Sequence, residues 1–254
     1  MFGRVRISSR LVGATLVAAL AALSQRAVAQ EGGGDGYLFH SPRASLSIRL
    51  GAAQPVATGR IFDFTAQQLK MTRAKYLGFS AAADLDVAVS QRVAIQFGTA
   101  LNVRTSPSEY RNFVDNKDLP IEQSTAFRRA PVTAGVKLYL RPPGRSVGRL
   151  AWVPNKVTPY VSAGGGAMYY SFVQSGDFID FKTNDVFAST LDSKGWAPVV
   201  YGAGGVNYAI SSHMDLVTEA RYESSSARLG SSFQGFGNIN LSGLSMTAGL
   251  HLRF

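Results

Sequence analysis

The chain has three histidines, His40, His213 and His251, and no cysteine. A thiol nucleophile and a cysteine-based zinc site are therefore excluded. Hydrolysis by an activated serine needs an imidazole base beside the hydroxyl and an acid to orient it. His40 lies in an N-terminal tether, His213 in a short turn and His251 three residues from the C-terminus, so no Ser/His/acid set can be assembled. The expectation is no catalytic residue, no metal ligand set and no cofactor. The runs Gly164-Gly165-Gly166 and Gly202, Gly204, Gly205 lack the nucleotide fingerprint, which needs a following helix. They sit in strand-like, aromatic-flanked stretches, where glycine relieves crowding. The apolar alternation slips there, which predicts a bulge in each.

The charged residues are more informative. Arg49, Asp84, Asp86, Lys137, Asp215, Glu219, Arg221 and Arg253, with Gln96, all fall on the polar parity of alternating segments. One polar face that carries both signs of charge can pair across an enclosed interior as an ion-pair plug. The other reading is a gate whose pairs exchange to open a conduit.

The elements that would position these groups are strands. Segments near 44–53, 76–89, 92–104, 129–141, 157–172, 197–210, 213–223 and 241–254 are strand-like, eight in all. In the last, Leu244, Met246, Ala248, Leu250, Leu252 and Phe254 alternate with Gly243, Ser245, Thr247, Gly249, His251 and Arg253, a period of two that separates two environments. Segments of about ten residues match a tilted membrane strand better than the ~5–6 of a soluble sheet. The connections alternate as well. "SQR" and "SSH" are short, whereas 54–75, 105–128, 173–196 and 224–240 are long, and the fourth-to-fifth link "PPGRSVGRLAWVPNK" is longer than a usual periplasmic turn. This is the asymmetry of an outer-membrane barrel. The expected fold is all-β: an eight-stranded antiparallel transmembrane β-barrel, an up-and-down meander closed so that no backbone edge meets lipid. Tyr76, Trp152, Tyr160, Tyr169, Tyr170, Phe172, Tyr201, Tyr208 and Tyr222 cluster toward segment ends and read as interfacial girdles.

Export is written at the N-terminus. A basic stretch, "MFGRVRISSR", an apolar run from Leu11 to Leu23 and the small-residue site Ala27-Val28-Ala29 predict a signal peptide over 1–29. Its apolar run is too short for a membrane helix. Removing Arg4, Arg6, Arg10 and Arg26 leaves 22 basic against 16 acidic residues, so the formal charge is +6 rather than +10. With no basic stripe remaining, nucleic-acid binding has little support. Residues 30–42 form a periplasmic tether and 43–254 a single barrel domain.

Three stretches, "TPYVSAGGGAMYY", "VVYGAGGVNYAISSHMDLVTEARYES" and "LSMTAGLHLRF", resemble the OmpA-like family of small outer-membrane β-barrels. The resemblance runs from about residue 43 and implies an outer-membrane address and contact with outer-membrane lipids. It also implies an assembly signal at Leu250, Leu252 and Phe254, read by the outer-membrane assembly machinery. The expectation is a barrel without the downstream peptidoglycan-binding domain of that family's larger members. The expected function is non-enzymatic: a monomer serving envelope integrity, or surface interaction through loops 54–75, 105–128, 173–196 and 224–240. The first loop is basic (Arg60, Lys70, Arg73 against Asp63) and the third acidic (Asp177, Asp180, Asp185, Asp192 against Lys182, Lys194). One alternative is a narrow porin-like channel for small solutes, which needs a continuous wet lumen. The other is a lipid-modifying outer-membrane enzyme, which needs a constellation the three histidines do not supply.

Overall fold

The computed structural model describes residues 36–114, 118–148, 150–179 and 186–254. The signal-peptide segment 1–29 and tether residues 30–35 lie outside the described residues. The strands are β1 (Ala44–Pro55), β2 (Gly78–Ala88), β3 (Val93–Val114), β4 (Pro120–Tyr139), β5 (Gly144–Val147), β6 (Ala151–Pro154), β7 (Val157–Ile179), β8 (Val186–Ala209), β9 (Met214–Arg228), β10 (Asn238–Asn240) and β11 (Gly243–Arg253). Eight of them, β1, β2, β3, β4, β7, β8, β9 and β11, pair antiparallel in sequence order, and β11 returns to β1. The result is an eight-stranded antiparallel transmembrane β-barrel with meander connectivity.

Parity sorts the two faces. Ile48, Leu50, Ile95, Phe97, Val132, Val136, Val200 and Met246 point outward and are exposed. Ser47, Arg49, Asp84, Asp86, Gln96, Thr133, Lys137 and Glu219 point inward and are buried. An apolar outer surface around a charged interior inverts a soluble protein and suits a bilayer. At one end, the turn end, the ring is linked by short turns, in which Val89 N–H and Ser90 N–H donate to Val93, and Ile210 N–H and Ser211 N–H to Met214. Both ends of the barrel domain are here, with Phe254 N–H donating to the Ala44 carbonyl at 3.0 Å.

The opposite, loop end departs from the sequence expectation. Regions 105–128 and 173–196 are largely strand rather than loop, since β3, β4, β7 and β8 run for 22, 20, 23 and 24 residues. About 10 residues cross a bilayer, so these four neighbours project roughly 30 Å further as a curved wall. Beyond the bilayer the outward face meets water and needs no apolar residues, so the alternation that marks a membrane strand fades while the ladder continues.

The other two long connections fold into the space the wall encloses. Residues 54–75 contain α1 (Arg60–Gln68), entered through Gly59 at φ 114°, with Ile61, Phe62 and Thr65 on its buried face. Residues 224–240 contain the end of β9, a 3-10 turn at Ser231–Phe233 and β10. The fourth-to-fifth link is also structured, its β5–β6 hairpin lying at the turn end, where Trp152 bridges to Leu38.

The expected bulges are absent. β7 keeps one unbroken register with β4 from Tyr160 to Gly176 and with β8 throughout. Only the side chains are missing at the glycines, so the apolar pattern falls silent while the backbone parity holds.

Candidate functional site

The lumen is filled in three tiers. In the middle tier, Arg49 on β1 and Arg221 on β9 alternate with Asp84 on β2 and Glu219 on β9. Arg49 Nη2 lies 2.9 Å from Glu219 Oε1 and also contacts Asp84 Oδ2. Arg221 donates from Nη2 to Asp84 Oδ1 and from Nε to Glu219 Oε1, each at 3.0 Å. The Tyr160 hydroxyl donates to Glu219 Oε2 at 2.9 Å, Arg49 Nε donates to Thr247 Oγ1 at 3.2 Å, and Arg221 lies 4.3 Å from the centre of the Tyr201 ring. Two cations and two anions cancel in formal charge. Each carboxylate has two cationic partners, which offsets the cost of taking it out of water.

Toward the turn end, Lys137 Nζ donates to Asp86 Oδ2 at 2.6 Å and Gln96 Nε2 to Asp86 Oδ1 at 3.0 Å. Tyr201 donates to Gln96 Oε1 at 3.1 Å, tying this tier to the middle one. Arg253 Nη2 contacts Asp215 Oδ1, and Ser47 Oγ lies 2.8 Å from His251 Nδ1. All eight charged residues singled out in the sequence therefore stand on the inner wall, each with an opposite charge beside it.

The large rings fit because glycines face them. A Cβ on Gly205 would stand 2.5 Å from the Tyr160 ring, and one on Gly135 would stand 2.5 Å from the Tyr201 hydroxyl.

Toward the loop end the lining turns apolar. Arg129, buried, donates to the Leu241 carbonyl at 2.7 Å. Above it Phe62 of α1 meets Tyr76, Phe127 and Phe172 edge-on, with centroids 5.2, 5.9 and 5.9 Å apart. Ile61, Leu69, Met71, Met168, Phe233 and Ile239 belong to the same cluster. The lid is pinned to β3, where Lys70 N–H donates to the Glu109 carbonyl at 2.7 Å and Arg111 Nε to the Leu69 carbonyl at 2.9 Å. Burial pushes the Tyr76 phenol up from its ordinary value.

The girdle expectation needs correction. Tyr169, Tyr208 and Tyr222 do face outward, and Tyr169 packs against Trp196 at 5.4 Å. Tyr76, Trp152, Tyr160, Tyr170, Phe172 and Tyr201 are instead buried, with Tyr160 at 1% exposure. Tyrosine suits either place, so its type reveals nothing. Parity would have placed it, because Tyr160 shares its face with Thr158 and Ser162.

A Ser/His/Asp grouping that the sequence hid does exist, in Ser47, His251 and Asp215, but it is not organised for hydrolysis. Ser47 is fully enclosed, Asp215 is engaged by Arg253, and His251 Nε2 stands 3.8 Å from Asp215 Oδ2, too far for a hydrogen bond. Among the described residues, no group of three or more His, Asp or Glu side chains is placed to hold a metal ion. In the loops, Asp63 pairs with Arg73 at 3.1 Å and Asp192 lies 3.4 Å from Lys194, both exposed, while Asp180, Lys182 and Asp185 lie outside the described residues. Leu250, Leu252 and Phe254 face outward on the terminal strand.

No family model and no curated protein matches this chain. Among solved structures, it is similar to the outer membrane protein OprG from Pseudomonas aeruginosa at 14% identity, over 85% of this chain and 99% of that one, with a TM-score of 0.45. Ail, the attachment invasion locus protein of Yersinia pestis, is similar at 12% identity, over 83% and 99%, with a TM-score of 0.38. Neisserial surface protein A is similar at 13% identity, over 83% and 96%, with a TM-score of 0.38. Likeness of this degree does not extend to function.

Proposed function

We propose that the protein is an exported, monomeric outer-membrane barrel without catalysis, closed to solutes, which serves envelope integrity and presents its projecting wall to the cell's surroundings. One observation carries this reading: the lumen is occupied twice over, by the Arg49–Asp84–Glu219–Arg221 tier and by the aromatic lid on Phe62. Opening a path through the first requires separating buried charges, at about 3–5 kcal/mol for a broken pair. Opening a path through the second requires dismantling an apolar core. With the lumen so committed, the wall formed by β3, β4, β7 and β8 is the surface that the loop end offers for contact with other molecules. The test is conductance of the purified mature barrel in planar bilayers. The expected trace is flat; a steady, reproducible single-channel current would overturn the plug and favour the porin-like alternative. Unchanged lipid A mass spectra in cells with and without the protein are the corresponding expectation for the absence of catalysis.

A further inference from the structure

At the turn end, below the Lys137–Asp86 and Arg253–Asp215 pairs, the β5–β6 hairpin and residues 41–45 enclose a vestibule of about 630 Å³. Its volume is in the range of small-molecule sites. Its lining carries an imbalance of charge. The one carboxylate on it, Asp86, has both oxygens occupied, by Lys137 and Gln96. Three arginines also line it, namely Arg43, Arg145 and Arg253. Among the described residues, no carboxylate pairs with Arg43 or Arg145. Arg253 is 5% exposed; its Nη2 contacts Asp215, while its Nε and Nη1 are enclosed without a hydrogen-bond partner. Buried guanidinium donors left unpaired are costly. Trp152, also on the lining, places its ring 5.4 Å from the Arg253 guanidinium, within cation–π range.

We propose that this vestibule binds a small oxyanion, a solute bearing a carboxylate or a phosphate, with the free donors of Arg253 at its base and Arg43 and Arg145 at its rim. Charge-assisted hydrogen bonds to such an anion would satisfy the Arg253 donors that the protein itself leaves unpaired. His251, which is engaged with Ser47, and Tyr139 are the other titratable side chains on the lining and enter only as neighbours. The site goes beyond the closed-barrel reading and does not depend on it, because it opens at the turn end whether or not the lumen conducts.

Trp152 is a built-in reporter, since the chain has two tryptophans and the other, Trp196, lies on the outer surface. The experiment uses the mature chain with Trp196→Phe, refolded and checked by heat-modifiable gel mobility, and follows Trp152 emission on titration with phosphate or acetate against chloride at equal ionic strength. The expected result is a saturable change with an oxyanion and none with chloride. Response to both oxyanions marks a general site, and response to phosphate alone marks a phosphoryl ligand. Arg43→Gln with Arg145→Gln alters exposed rim residues and so keeps the fold; half-saturation should rise about tenfold or more. As a second readout, phosphate should raise the thermal midpoint of the unmutated mature barrel, as any ligand of the folded state does, and this rise should shrink in the double variant. An unsaturable response, an equal response to chloride, or an undiminished response in the folded double variant would overturn the site.

Discussion

Arg49 and Glu219 stand 170 residues apart in sequence and 2.9 Å apart in the lumen. Neither is adequately housed without the other. Arg49→Met is expected to destabilise the barrel by about 3–5 kcal/mol, because it leaves Glu219 and Asp84 short of a cation in a buried site. Arg49→Met combined with Glu219→Gln restores neutrality and should recover part of that loss. Urea unfolding in micelles, arranged as a double-mutant cycle, measures the coupling; strictly additive losses would mean the pair does not act as a unit.

The outward belt makes a different demand. Ile95 is exposed on the outer face, midway between neighbours of the same kind. Ile95→Arg should cost about 2–4 kcal/mol near the bilayer midplane, and Ile95→Leu well under ~1.5 kcal/mol. Equal stability of the two variants in lipid vesicles would mean that Ile95 does not face hydrocarbon.

Two glycines on the same strand give a controlled comparison. Gly205→Ala drives a Cβ to 2.5 Å from Tyr160, whereas nothing lies within 4 Å of a Cβ at Gly202. The first should lose about 1–3 kcal/mol through overpacking, and the second should stay within ~0.5 kcal/mol of the parent. Chemical unfolding of the pair checks it.

The lid is held largely by one ring. Phe62, with 2% exposure, touches three other aromatics, and Phe62→Ala should cost about 3–5 kcal/mol locally. Because α1 lies beyond the apolar belt, the expected phenotype is selective. Protease added to intact cells should cut within 54–75 far faster than in the parent, while the turns at 89–92 and 210–213 stay protected on the other side. Cutting confined to those turns would invert the topology.

Phe254 tests the proposed assembly signal. Its backbone bonds to Ala44, and its side chain is half exposed at the rim. Phe254→Ala keeps those bonds and removes limited burial, so refolding into detergent should be close to normal. In cells, membrane yield should fall severalfold if the machinery reads the ring. Equal deficits in both settings would make Phe254 merely structural.

What could be read from the sequence follows from where contrast exists. Between Arg49 and Leu50, or Ile95 and Gln96, packed polar groups on one side and lipid on the other impose opposite residue types, so parity, strand count and the lumen charges were legible. At Gly164 and Gly166 no side chain records a face, and continuous pairing looked like a bulge. From Thr105 to Glu109 neither face carries an apolar run, so strand looked like loop. The lid helix was hidden because its buried face is only Ile61, Phe62 and Thr65, of which two are apolar, too short for periodicity to stand out from a loop. Ser47, His251 and Asp215 meet only through the β1–β11 and β9–β11 registers, and spacing along one chain does not reveal registers between distant strands.

The β1–β11 seam sets Ser45 opposite Arg253, joining the barrel's first strand to its last. Until β11 arrives, every partly delivered chain carries two raw edges, so sealing is the final event and waits for the whole polypeptide. Closing a loop of about 200 residues costs on the order of 5 kcal/mol of chain entropy, against ~1 kcal/mol for a four-residue turn. That difference belongs to connectivity and not to the finished ring. A circular permutant opened in the turn at His213, with its old ends joined beneath the hairpin, would reach the same barrel by sealing a different seam.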